Sequence, residues 1–343
     1  MKRISIIIPM YKVGPFVEKC ILCLEDQDIP KNEYEIICVN DGSPDNSRDV
    51  VLRLQNEFNN IILIDQENQG VSRARNNGID KATGRYLVFI DPDDYVEPNS
   101  FAAILKNSEE MASQVSFLGF TILNEDGTMR KQIFNKEESE KVYKGIEAYY
   151  LARGDGYTDP DRMWGVLFEK DFINFNRCRY LADVPYLEDG EFIARILCLA
   201  ERCIFYGGMF YWRTTRPGSA TNSNLFNSEF AINGFIKAAV NLRNFRDRDE
   251  LTQKRKEFLN QPITKFVVLS VSPSAKLSKF KIFVKTYCIL KDHHFKKLDL
   301  KGCNRYYQKL GRLYNASGYL LYAYFIIRPL PLFIWKLLPK TNK

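Results

Sequence analysis

The chain has no apolar run long enough to cross a bilayer. Near its end, Tyr319 to Ile327 gives nine apolar residues before Arg328 interrupts them, whereas a spanning helix needs about 20. Pro329 and Pro331 follow at once, and a span there would bury a charge and unpaired carbonyls at mid-depth. A secretory leader is not expected either. The apolar stretch Ile4 to Ile8 contains Ser5, stops at Pro9, and is followed by no small-residue cleavage site. The eight cysteines do not form a framework: Cys20 and Cys23 lie one helical turn apart, and no second pair completes a zinc site. Reduced structural thiols are expected, which places the chain in the cytosol. No internal repeat and no low-complexity linker is present.

Charge of one sign is scarce in the last part of the chain. Residues 251–343 carry 19 Lys and Arg against 3 acids, and the remainder carries 30 against 39, so a net +7 hides a basic tail on an acidic body. Anionic lipid and nucleic acid are the partners such a tail attracts. Its basic residues are interleaved with long aliphatic and aromatic runs, which favours a lipid surface and no nucleic acid. Tyr319, Tyr322, Tyr324, Trp335, Lys336 and Lys340 suit the bilayer interface. Helices packing onto the body remain the alternative.

The first hundred residues alternate between two periods. Ile4–Ile8, Tyr34–Val39, Ile61–Ile64 and Tyr86–Ile90 are apolar runs rich in strand formers, and helical spacing fills the gaps, near 17–24, 50–58 and 70–82. Such alternation predicts βα units and a mainly parallel sheet. Val115 to Leu123, followed by the turn residues Asn124 to Gly127, predicts a hairpin and a switch to antiparallel pairing. Beyond Phe226 the pattern is mostly helical.

Chemistry concentrates where strands end. Tyr86–Ile90 stops at Asp91, Asp93 and Asp94, with Pro92 locking the turn. Carboxylates just past a buried strand lie at the carboxyl edge of the sheet, where open α/β folds bind ligands. Hard carboxylate oxygens suit Mg²⁺ or Mn²⁺; taken alone, the same acids also fit a solvated turn. In the helix near 70–82, Val71, Ala74, Gly78, Ile79 and Ala82 form one stripe. Arg75 falls inside it, either snorkelling or reaching an anion or buried carboxylate, and Arg73 points to solvent. In the helix after Tyr186, Asp189 projects onto the stripe of Phe192, Ile193, Ile196 and Ala200, with Glu188 at the flank and Glu191 pointing away. Asp189 is either a cap interacting with the helix dipole or a base facing a pocket.

Four segments in this order, Ile4–Tyr11, Val39–Ser43, Asn68–Gly78 and Phe89–Asp94, resemble the bacterial family 2 glycosyltransferases, the kind that build capsular, exo- or O-antigen polysaccharide. The resemblance is close over 4–98 and looser through Trp164–Phe168, Leu187–Phe192 and Tyr211–Ser219. It implies the GT-A fold, a Rossmann-like mixed sheet flanked by helices. It implies a transferase domain over 1–225, with a nucleotide-binding half (1–98) and an acceptor half (99–225), and a helical, basic, membrane-associating region over 226–343. It also implies roles. Asp41 accepts from the base of a UDP-sugar donor, Pro9 and Tyr11 line that base, and Arg75 sits near the diphosphate or an acidic site residue. Asp93 ligates a divalent metal, Asp91 contacts the ribose or the metal, and Asp189 is the general base toward a glycan or lipid-linked acceptor. One displacement inverts the anomeric centre, with no covalent intermediate. A peripheral place on the inner face of the cell membrane follows. A nucleotidyltransferase is disfavoured, because Met10 to Gly14 is a poor substitute for a glycine-rich, lysine-bearing phosphate loop.

Overall fold

The structure, a computed structural model, describes residues 2–133, 139, 141–152, 160–182, 184, 186–215, 227–276 and 279–327. Two compact units divide the chain: Met1–Asp183 with Leu187–Asn222, and Val184–Tyr186 with Ser223–Lys343.

The first unit is a layered α/β structure, built in the order β1 (Ile4–Met10), α1 (Gly14–Glu25), β2 (Tyr34–Asp41), α2 (Ser47–Gln55), β3 (Ile61–Gln66), α3 (Val71–Lys81), β4 (Tyr86–Phe89), β5 (Tyr95–Val96), α4 (Phe101–Glu110), β6 (Val115–Leu123), β7 (Met129–Ile133), α5 (Gly145–Leu151), β8 (Val166–Glu169), α6 (Lys170–Phe175), α7 (Glu188–Leu199) and β9 (Cys203–Arg213). The strands of the described residues form one sheet in the order β3-β2-β1-β4-β8-β6-β9-β5, with β7 paired to β6. Its first four strands are parallel throughout. The predicted hairpin is β6–β7, antiparallel. Antiparallel pairing also joins β4 to β8 and β6 to β8, while β6 and β9 run parallel.

The apolar runs are continuous because both faces of the parallel half are covered. Every residue of β1, β2 and β4 is buried, and each fully buried Ile or Val contributes about 1.5–3 kcal/mol. α3 lies so close on β1 that a Cβ at Gly78 would come 2.4 Å from Ile7 Cγ2. Pairing Ile4 with Tyr86 and Ile7 with Phe89 sets β4 level with β1, and Ile4 with Tyr34 sets β2 level with both. Three parallel strands therefore end together, placing Pro9 to Tyr11, Asp41 and Asp91 to Asp94 along one edge.

Helix α7 departs from the amphipathic reading. Glu191, expected to point away, is fully buried, and nine successive residues, Gly190 to Cys198, are buried around the whole circumference. Periodicity assigns one buried stripe, but this helix is enclosed on every side. Arg195 makes the burial of Glu191 tolerable with a fork of two hydrogen bonds, 2.7 and 2.8 Å, and also donates to the Arg179 carbonyl at 2.6 Å.

The second unit, among its described residues, is helical: α8 (Glu229–Arg246), α9 (Gln253–Lys276), α10 (Phe280–Asp292), α11 (Arg305–Ala316) and α12 (Gly318–Ile327). Aromatic rings of Phe280, Phe283, Tyr287, Tyr314, Tyr319 and Tyr322 pack where α10, α11 and α12 meet. No helix among the described residues is long and apolar enough to cross a membrane. The interfacial residues Trp335, Lys336 and Lys340, with Arg328 and the two prolines, lie outside the described residues.

Removing one partner of a buried ion pair strands the other charge, at a cost of about 3–5 kcal/mol. Glu191→Ala is accordingly expected to lower the urea midpoint of the chain sharply, whereas Glu201→Ala, exposed in the bend that follows α7, leaves it nearly unchanged.

Candidate active site

The end of β2 is held by a single carboxylate. Asp41 is buried, and it accepts from the Gln66 side chain (2.7 Å) and the Gln69 amide (2.7 Å) on Oδ1 and from the Gly70 amide (2.9 Å) on Oδ2. Gly70 can turn its amide inward because it sits at φ +86°, a region that glycine enters without strain. A carboxylate offers about four acceptor positions, so one remains, on Oδ2. Opposite, Pro9 is buried at the end of β1 beside Val39, and Tyr11 is 44% exposed. The loop that follows is tied to the one after β2. The Lys12 amide donates to Ser43 Oγ (2.6 Å), the Val13 amide to Ser47 Oγ (3.1 Å), and the Gly14 amide to Asp45 Oδ2 (2.9 Å). Burial alone would raise the Asp45 carboxyl, but hydrogen bonds from Ser47, Gly14 and Ser43 outweigh it and bring it down to about 2.

Arg75 settles the alternatives left by its helix stripe. Its guanidinium is buried, and Nη1 donates to Glu188 Oε1 at 2.7 Å and to Asp189 Oδ1 at 2.9 Å, while Nη2 lies 3.4 Å from Asp91 Oδ1. It is not snorkelling; it draws together the end of β4 and the start of α7. Below it lies the Tyr180 ring, 5.1 Å from the guanidinium carbon. Tyr180 stacks in turn on Phe192 of α7 at 4.1 Å, nearly parallel. Asn76 fixes the Tyr180 backbone with reciprocal bonds of 2.9 and 2.8 Å. Asn76 lies in the Asn68–Gly78 segment without a role of its own there, and Tyr180 carried no sequence signal, because their pairing exists only in the tertiary stack.

Asp189 does not occupy the cap position of α7; Leu187 does, at φ +56°, and makes no side-chain capping bond, while Asp189 lies in the first turn. Burial pushes the Asp189 carboxyl well above the usual range; Arg75 opposes this, and Glu188, Asp91 and Asp161 add to it. Burial likewise raises Asp91, against Arg75 and with Asp93 and Glu188. These carboxylates share one guanidinium and titrate as a set.

The three acids of the Asp91–Asp94 turn divide their work. Asp94 is buried, and it accepts from the Tyr211 hydroxyl at 2.6 Å and from the Thr214 amide at 2.7 Å. The Thr214 hydroxyl donates to the Asp93 carbonyl, and the Asp91 amide donates to the Tyr211 oxygen. Asp94 is thus the turn's anchor to the end of β9, and Asp91 and Asp93 present their carboxylates more openly. Among the described residues no three His, Cys, Asp or Glu side chains are arranged to hold a metal on their own.

The raised carboxyls have a consequence for stability. Between the ordinary carboxylate range and their raised positions, the folded chain holds protons that the unfolded chain has released, so stability falls as pH rises through that window. Removing Arg75 extends the window upward. Arg75→Met is expected to cost more at about pH 7 than at about pH 5, read from urea unfolding at both; an equal loss at the two would show that the guanidinium does not balance these acids.

The chain is similar to known proteins over much of its length. Residues 5–169 match Glycosyl transferase family 2. The uncharacterized glycosyltransferase EpsJ of Bacillus subtilis is 30% identical over 64% of this chain, which spans 62% of EpsJ's length. Among solved structures, S. aureus TarS 1–349 in complex with UDP-GlcNAc superposes with a TM-score of 0.70 at 19% identity, covering 94% of this chain and 90% of that one. The mannosyltransferase PcManGT of Pyrobaculum calidifontis, in complex with GDP-Man and Mn²⁺, does so with a TM-score of 0.52 at 12% identity, over 95% and 86%. The sheet, the helices on both its faces and the helical C-terminal region are those of a GT-A-type fold. The similarity to Glycosyl transferase family 2 thus lies over residues 5–169, which carry the Asp41 end of β2, Arg75 and the Asp91–Asp94 turn.

Proposed function

We propose that the chain is an inverting glycosyltransferase. It moves a sugar from a nucleotide-diphosphate donor, a UDP-sugar, to a glycan or lipid-linked acceptor of a bacterial surface polysaccharide. The observation that carries this reading is the convergence of Asp91, Glu188 and Asp189 on Arg75 at the edge that also holds Asp41. EpsJ supports the transferase class, and the UDP-GlcNAc bound to TarS supports the donor type.

The residues divide as follows. Asp41 uses its remaining acceptor position toward the N–H of the donor base, between Pro9 and Tyr11. Asp91 and Asp93 offer hard oxygens in a region where the acids outnumber the guanidinium, a donor set that fits Mn²⁺ or Mg²⁺. Such an ion takes one or two protein carboxylates, and donor phosphates complete its shell. When bound, it would neutralise charge on the departing diphosphate. Asp189 takes the proton of the acceptor hydroxyl as that oxygen attacks the anomeric carbon. Its raised carboxyl makes it a stronger base than an ordinary aspartate. Activity should therefore rise with pH along a limb above the usual carboxylate range, because the base works only when ionised.

The second unit is proposed to rest on an anionic membrane surface. Tyr319, Leu320, Ile326 and Ile327 of α12 are each between 42% and 56% exposed. On α11, Arg305, Lys309 and Arg312 line a depression of about 370 Å³. Apolar side chains beside cations are the chemistry of the interface, with attraction of about 1 kcal/mol per Lys or Arg near the surface.

Two experiments test these readings. In a UDP-release assay across nucleotide sugars, Asp189→Asn is expected to keep donor binding and to lose about a hundredfold or more in turnover. Asp93→Ala is expected to lose metal-dependent UDP binding as well. A near-normal rate in Asp189→Asn would move the base elsewhere, with Glu188 next to be replaced. Full-length protein should co-sediment with anionic liposomes, less so at high salt, and replacing Leu320, Ile326 and Ile327 with Ser should abolish it. Failure of the unaltered chain to co-sediment would end the membrane proposal.

A further inference from the structure

Arg162 is a buried charge that the reading above does not use. It is 9% exposed, and among the described residues no carboxylate pairs with it. Its Nε–H has no acceptor. Its guanidinium carbon sits 4.2 Å from the centre of the Phe120 ring and 5.4 Å from that of Trp164, and those two rings meet edge to face, 4.9 Å apart at 81°. The guanidinium therefore occupies the corner of two perpendicular aromatic rings. Ring faces attract a cation, but they offer no acceptor in the guanidinium plane, and among the described residues the buried Nε–H goes unanswered.

A charge left in that state is costly. Burying a cation is tolerated when it is paired, and a guanidinium does not escape by losing its proton. Burial alone pulls Arg162 down to about 9, with no charged neighbour opposing the fall. Arg213 places a second guanidinium 5.5 Å from the Trp164 ring, so the surroundings of that indole are cationic. The corner is also connected to the acidic turn. Trp164 stacks on Tyr211 at 5.3 Å, and the Tyr211 hydroxyl donates to Asp94. Two side chains, Trp164 and Tyr211, thus connect Arg162 to Asp94, the anchor of the acidic turn.

We propose that Arg162 is the seat of an oxyanion, a carboxylate or phosphate carried by a saccharide, held side-on by the guanidinium fork in the corner of Phe120 and Trp164. Two oxygens in one plane match the fork and answer the orphan N–H, which a hydroxyl or a single carbonyl does less well. Assigning the anion to a saccharide rests on the transferase reading; the seat itself does not.

Thermal unfolding of the full chain tests this. Sodium phosphate or sodium glucuronate is titrated at constant ionic strength, and UDP with Mn²⁺ is titrated separately against a Mn²⁺ blank. The two anions distinguish a phosphorylated saccharide from a uronic one. The wild type is expected to show a saturable rise with at least one of them. Arg162→Met should lose that rise, keeping only the non-saturating effect that excluded salts have on any protein. Arg162→Lys keeps the charge without the fork and should need about tenfold more anion. Arg162→Met should fold, since it replaces an unpaired buried charge with an apolar side chain of similar length; if it does not, Arg162→Lys decides. A saturable rise that persists in Arg162→Met, an unchanged midpoint in Arg162→Lys, or no saturable rise in the wild type with either anion overturns the proposal. The UDP response should be the same in all three proteins. Its absence from the wild type would count against the transferase reading and leave the seat standing.

Discussion

One guanidinium sets the terms for the first unit. Arg75 meets carboxylates from the end of β4 and the start of α7 within hydrogen-bonding range. Burial works against these charges, the guanidinium offsets part of that cost, and acids that would otherwise repel one another share a single counter-charge. The arginine is held in turn by what lies beneath it. The Phe192–Tyr180 stack presents a ring to the guanidinium, and Asn76, the next residue of the same helix, clips Tyr180 in place. Helix α3 thus supplies both the charge and the clip that aims it.

The acids along the carboxyl edge are not equivalent, and their partners tell them apart. Asp94 is consumed by Tyr211 and Thr214, so it fixes the turn. Asp41 is mostly consumed by the loop before α3, so it reaches any ligand as a pre-set acceptor with little freedom to reorient. Asp91, Glu188 and Asp189 face a shared cation. Three kinds of carboxylate, structural, pre-set and charge-coupled, are thus set by strand ends and by the start of α7.

The strands and their ends were legible because a strand buried on both faces needs no partner information to be recognised: Ile4–Ile8, Tyr34–Val39 and Tyr86–Ile90 are apolar but for Ser5 and Glu35, which answer each other by a hydrogen bond of 2.6 Å. The inward position of Arg75 was legible from a stripe of small and aliphatic residues. Its partners were not, because they lie 113 and 114 positions away, and spacing on one helix carries no information about another. Glu191 was misplaced for a different reason. Periodicity measures contrast between two faces, and α7 has none, since its surroundings are protein on all sides. Arg162 left no mark in the pattern either, because the corner that encloses it is made by Phe120 and Trp164 from separate parts of the chain.

The start of α1 offers a last point. The exposed amides at a helix's beginning ordinarily draw anions, and in many nucleotide-binding folds this is where phosphate settles. Here the vacancy is already filled from within, by Asp45 on the Gly14 amide and Ser47 on the Val13 amide. With its carboxyl held near 2, Asp45 stays ionised at any pH at which the chain would work, so the first turn repels phosphate instead of cradling it. The fold in effect closes one anion-binding position with its own charge, so this edge is polarised by the chain itself before any ligand meets it.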